Sequence, residues 1–195
     1  MCTVSYVPTN QGFILTSNRD EIPKKNSCQK PSYSTYNNVK VLHPKDKLTS
    51  GTWIATDGKK FSLCLFNGAY KNHVHTPPYR ESRGSIIPTF FKYSEIISFI
   101  TRYEFTGIEP FSLVIIKHQP LKLWLFIWDG ENTNLNKLPA EIHHLWSSVT
   151  LYSKEIHKKK KNAFHESLNK LKQINQKNIV AVSYTHLTLP TILRV

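Results

Sequence analysis

Met1-Cys2-Thr3-Val4-Ser5-Tyr6-Val7-Pro8-Thr9-Asn10-Gln11-Gly12-Phe13-Ile14-Leu15-Thr16-Ser17-Asn18-Arg19-Asp20-Glu21 opens the chain. Two β-rich runs, Cys2 to Pro8 and Phe13 to Ser17, flank turn-forming Thr9-Asn10-Gln11-Gly12, so the segment reads as a hairpin. Folding about Asn10 and Gln11 sets residue 2 opposite residue 19, to within a residue or two of register. If Met1 is removed, which the small neighbouring side chain favours, Cys2 carries a thiol and a free α-amine on one Cα. An α-amine titrates near ~8 and a thiol near ~8.5, so a proton passes between them at little cost at neutral pH. Such a terminus is a nucleophile with its own base. Asp20, returning beside it, would hold the α-ammonium by a charge-assisted hydrogen bond, and Arg19 would favour the thiolate or bind a substrate carboxylate. The plainer alternative is a surface hairpin whose charges are solvated.

The opening Met1-Cys2-Thr3 with Asn18-Arg19-Asp20-Glu21 resembles the NRDE family, also called the transport and Golgi organisation protein 2 family. Gly51-Thr52-Trp53, Asn67, Arg83-Gly84, Trp146-Ser147-Ser148 and Leu151-Tyr152 extend the match to about Tyr152. More distantly, the opening is similar to the choloylglycine hydrolase and penicillin V acylase group, in which a processed N-terminal Cys cleaves amide bonds within an αββα sandwich. The resemblance implies Cys2 as nucleophile, Asp20 as partner of its amine, Arg19 as charge stabiliser and Asn67 as an oxyanion donor. It places Asn18, Arg83 and Ser147 on the substrate side, although Arg83 would equally suit a structural ion pair. Where the hydrolase group has a second asparagine near the oxyanion hole, this chain offers Ser147 and Ser148. Some members of the resembling family are implicated in haem movement and lipid homeostasis, so the alternative is a pocket that binds haem or a lipid without turnover.

Composition agrees with one domain. The 195 residues are 39% hydrophobic and 12% aromatic, which is globular. The expected fold class is α+β, an αββα sandwich of the N-terminal nucleophile hydrolase type. Its domain spans 1–181; 182–195, with Ser183-Tyr184-Thr185-His186-Leu187-Thr188-Leu189-Pro190-Thr191, reads as the translation of a sequencing adapter, so the domain is expected to be truncated near Ala181. No apolar run is long enough to span a membrane and the N-terminus lacks a signal-peptide core. Cys2, Cys28 and Cys64 are odd in number and widely spaced, which points to free thiols and a cytoplasmic protein.

A net charge of +13 raises nucleic acid as a partner. The densest run, Lys158-Lys159-Lys160-Lys161, falls on a helix that Ser153 would cap and that carries Phe164, Leu168 and Leu171 on one face. No aromatics interleave with it and arginine is scarce, so a solvated helix face is the stronger reading and no nucleic acid is expected. Gly51 to Thr56 and Lys60 to Phe66 flank Asp57-Gly58, a two-residue hairpin signal, and Asn67 falls at the end of the second strand. Asn67 there is either an amide donor aimed at an oxyanion or part of a tight Asn67-Gly68 turn. Phe111 to Ile116 and Leu123 to Trp128 are continuous apolar runs that read as strands covered on both faces, with Trp124 and Trp128 as core. Helices are expected over Gly84 to Lys92, Glu95 to Tyr103 and after Ser153. Ile22 to Thr49 reads as a long loop around a short Val39 to Leu42 strand, with Cys28 in it and Cys64 packed inward. His73-Val74-His75 and His143-His144 lack ligands at a metal-binding spacing, so no metal and no cofactor is expected. The expected partner is a small-molecule amide or a hydrophobic ligand.

Overall fold

The computed structural model describes residues 2–19, 28–47, 49–93, 95–148 and 154–183. β1 (Cys2–Thr9) and β2 (Gly12–Arg19) form the expected hairpin, with Cys2 opposite Arg19 and Thr9 opposite Gly12. They join β10 (His144–Ser147) in a three-stranded sheet of order β10-β1-β2. A second sheet of seven antiparallel strands runs β3 (Cys28–Tyr36), β4 (Val39–Asp46), β5 (Ile54–Thr56), β6 (Phe61–Asn67), β7 (Phe111–Lys117), β8 (Lys122–Trp128) and β9 (Thr133–Leu138) in chain order.

Three apolar layers define the stacking. Along β1, Val4 and Tyr6 turn to one side and Val7 to the other, the period-two pattern of a strand buried on both faces. Val4 and Tyr6 pack with Cys64, Phe66, Val114 and Ile116 between the two sheets. Val7 packs with Phe164 and Leu168 of α3 (Lys154–Asn169) and Ile179 of α4 (Gln176–Val182). On the far side, Leu63, Leu65, Leu113 and Ile115 meet α1 (Ile86–Tyr93) and α2 (Ile96–Arg102). The order is helices, seven-stranded sheet, three-stranded sheet, helices: an αββα sandwich.

Two expectations need correction. The segment around residues 28–47 is not a loop with a short strand but a long hairpin, β3 and β4, turned by Asn37 and Asn38 at φ 46° and 65°. Cys28 therefore opens an exposed strand. The Asp57-Gly58 turn is wider than two residues, because Thr56 pairs with Ser62 and the Asp57 carboxylate accepts from the amides of Lys59, Lys60 and Phe61. The hairpin of β7 and β8 and the spans of α1 and α2 fall where the apolar pattern puts them. In α3, Phe164 and Leu168 face inward while Lys158, Lys159 and Lys161 are exposed; Ser153 lies outside the described residues. Among the described residues no helix is long and apolar enough to cross a membrane.

The α3 layer carries a pH dependence. His143, just before β10, sits edge-on to His165 of α3 with ring centroids 4.3 Å apart, and the Nε2 atoms of both are buried without a hydrogen-bond partner among the described residues. Burial, then the positive charges of His165, His144 and Lys161, hold the His143 imidazolium below its ordinary pKa. A histidine depressed in the fold stabilises it fully above about pH 6.5, the unfolded value, and that stability is lost as the pH falls towards the folded value. Thermal melts at pH 7.5 and 5.5 should show a drop in midpoint on acidification that His143→Gln reduces; an unchanged pH slope in that variant would refute the assignment.

Candidate active site

The N-terminal end of β1 is the meeting point of three strands. Residue 2 stands opposite Arg19 on β2, and Thr3 stands between Asn18 on one side and Ser147 on the other. One residue beyond Ser147, the Ser148 hydroxyl donates to the Asn67 main-chain carbonyl at 2.7 Å, which ties the end of β10 to the end of β6 in the other sheet. Cys2, Arg19, Ser148 and Asn67 are thus brought to one end of the sandwich. Met1, Asp20 and Glu21 lie outside the described residues, as do Leu151 and Tyr152.

The other expected residues are placed differently. Asn18 donates its amide to the Ser183 carbonyl at 2.7 Å after α4, next to a chain of hydroxyls from Ser5 through Thr16 to the Ser183 side chain. Ser147, buried, shares the face of Leu145, which packs against α3 and α4. Ser148, not Ser147, is therefore the serine that reaches Asn67.

Asn67 itself is half-buried at the end of β6, and its side-chain amide has no hydrogen-bond partner among the described residues. It lines a cavity of about 200 Å³ together with Asp46, Thr52, Trp53, Arg83 and Gly84. The wall depends on two glycines. A Cβ on Gly51 would sit 2.7 Å from the Gly84 Cα, and the Thr52 amide donates to the Gly84 carbonyl at 3.0 Å, so the main chains touch back to back. That close approach is the physical content of Gly51-Thr52-Trp53 and Arg83-Gly84.

Arg83, in the 3-10 turn Arg83–Ser85, projects into this wall and pairs with Glu109 at 2.9 Å, and its other terminal nitrogen donates to the Pro110 carbonyl at 3.3 Å. The second Glu109 oxygen accepts from His73 Nε2 at 2.9 Å and His75 Nδ1 at 3.1 Å. Burial pushes the Glu109 carboxyl up, but the His73 hydrogen bond, the Arg83 charge and the His75 hydrogen bond outweigh it, and its pKa lies below the usual range. Glu109 was not legible in the sequence: it lies more than thirty residues from the histidines it joins, and a lone Glu before Pro110 carries no signal. Among the described residues no group of three or more His, Cys, Asp or Glu could hold a metal ion.

A second, apolar cavity of about 300 Å³ opens beside β2, lined by Phe13, Leu15, Pro31, Leu42, Pro44 and Ile54. Its β2 wall is continuous with the strand that ends at Arg19.

A model of the transport and Golgi organisation 2 family matches residues 1–192. The chain belongs to the transport and Golgi organisation 2 family. Among solved structures it is similar to an N-acylethanolamine-hydrolyzing acid amidase ortholog of Caenorhabditis elegans, at 14% identity and a TM-score of 0.57, over 94% of this chain and 86% of that one. The likeness is one of fold, and it agrees with the layer order above: this family member has the sandwich of the N-terminal nucleophile hydrolases. No curated protein matches the chain in sequence.

Proposed function

We propose that this family member is an N-terminal cysteine nucleophile amidohydrolase that cleaves a linear amide C–N bond in a small-molecule or acyl amide. The observation that carries the reading is the strand register that sets residue 2 opposite Arg19, at the end of the sandwich where Ser148 fastens Asn67. In the proposed reaction the α-amine of processed Cys2 takes the thiol proton and Sγ attacks the amide carbonyl. Arg19 and the Asn67 amide stabilise the oxyanion while Asp20 orients the amine. Collapse breaks the C–N bond, the α-ammonium protonates the departing amine, and a water deprotonated by the same α-amine then hydrolyses the thioester. Arg83 shapes the cavity from across Asn67, and Asn18 and Ser147 flank Thr3 and so hold β1 in place.

The apolar cavity beside β2 supports an acyl group as part of the substrate, and the worm amidase named above acts on N-acylethanolamines. The same cavity supports the second reading, in which a hydrophobic ligand such as haem or a lipid is bound and carried without turnover.

Intact mass separates the two. In a Cys28→Ser background, which removes the exposed competing thiol, an amide-directed thiol electrophile should find Met1 absent and add once, at Cys2. With a substrate in hand, Asn67→Ala should lower the rate by on the order of 10²-fold. Retained Met1, with no adduct at residue 2, would leave the α-amine blocked and assign the pocket to ligand carriage.

A further inference from the structure

Lys117 and Lys122 stand directly opposite one another across the β7–β8 pair. Lys117 continues the alternation of Leu113 and Ile115, and Lys122 that of Phe126 and Trp124, so both lie on the face that α1 and α2 cover. Like charges directly opposite in a sheet repel, and neither lysine has a carboxylate partner among the described residues. Lys137, opposite Trp124 on β9, adds a third ammonium group to the same face. The two short helices leave this corner open as a cavity of about 560 Å³, with Phe61, Ile96, Ile97, Trp124 and Leu135 around the two lysines. Ile97 stands 65% exposed at its rim. The carboxylate on the lining, Glu95, is taken up by Lys60.

An apolar floor of ligand-binding size beside an uncompensated pair of cations is complementary to a molecule that carries both an apolar body and a negative charge. We propose that this cavity binds a compact amphipathic anion: an aromatic or branched apolar body seated on Trp124, Leu135 and Ile97, with one carboxylate or sulfonate-type head between Lys117 and Lys122. The anion removes the repulsion between the two lysines as it binds, and the rim of Lys137 supplies long-range attraction. Asn67 pairs with Phe111 at the opposite end of β7, roughly 20 Å away at ~3.3 Å per residue, so the site is separate from the Cys2 end and does not rest on amide hydrolysis.

The test is a fluorescence titration of the full chain with 8-anilinonaphthalene-1-sulfonate, alongside its uncharged analogue N-phenyl-1-naphthylamine. The expected result is saturable one-to-one binding of the sulfonate, weakened about tenfold or more by Lys117→Ala/Lys122→Ala and by loss of the sulfonate. Lys117→Arg/Lys122→Arg should retain binding, and circular dichroism melts of both pairs confirm the fold. Cys2→Ala should leave the affinity unchanged. Equal affinity for the uncharged analogue, or wild-type affinity in the alanine pair, would reduce the site to an exposed apolar patch and overturn the proposal. Loss of binding in Cys2→Ala would move the dye to the other end of the sandwich, with the same consequence.

Discussion

Cys2→Ala is expected to abolish hydrolysis of any amide the wild-type protein accepts, while leaving the thermal midpoint within a degree or so. The hairpin around it is held by main-chain pairing of β1 with β2 and β10, and by Val4, Tyr6 and Val7 in two of the three apolar layers. Chemistry, in contrast, has no substitute: the residue supplies both the attacking sulfur and, through its main-chain nitrogen, the base, and alanine keeps only the second. Cys2→Ser keeps a nucleophile of higher pKa and should retain a small residual rate. Turnover and intact mass are read on the same sample, so a retained Met1 is seen directly. A Cys2→Ala protein that hydrolyses the substrate at the wild-type rate would sink the proposed mechanism.

The largest effect on stability is expected at Phe99. It is fully buried at the centre of the outer helical layer, with ring centroids 5.4 Å from Phe90, 5.3 Å from Phe105, 5.5 Å from Tyr103 and 6.0 Å from Phe126. Through these it joins α1, α2, the turn before β7 and the sheet itself. Truncation loses the transfer free energy of the ring and leaves a cavity that rigid aromatic neighbours cannot fill, so Phe99→Ala should cost about 3–5 kcal/mol. For a chain of this size that lowers the melting midpoint by roughly 6–20 °C. Phe99→Leu, which refills most of the space, should cost clearly less. Urea unfolding of the three proteins measures the difference, and a Phe99→Ala cost below about 1 kcal/mol would mean that this layer is not packed as described.

How much the chain reveals before folding depends on how many faces of each element are buried. β1, β7 and β8 are covered on both sides; continuous apolar runs locate β7 and β8, and β-rich residues with the turn at Asn10 and Gln11 locate β1 and its register with β2. β3 and β9 are the two edges of the seven-stranded sheet and are largely exposed, so Cys28–Tyr36 and Thr133–Leu138 carry neither a run nor a clean alternation. The candidate site divides in the same way. The opposition of Cys2 and Arg19 follows from a local turn and was legible, as was Asn67 at a strand end. The choice of Ser148 over Ser147 rests on which face of β10 meets the other sheet, and the clasp of Glu109 by Arg83, His73 and His75 on contacts between distant segments. Neither leaves a trace in local pattern.

The contact of Gly51 with Gly84 has a mechanical side. Because two main chains meet there with no side chain between them, and the Thr52 amide is bonded across the junction, the cavity wall and the first turn leading into α1 cannot be displaced independently. Trp53 lines the cavity on one side of this junction, and on the other side the chain runs on into the helix bearing Phe90 and Phe91. The Asn67 end of the sandwich is thereby joined to the helix that carries the outer aromatic layer by a main-chain junction instead of a loop.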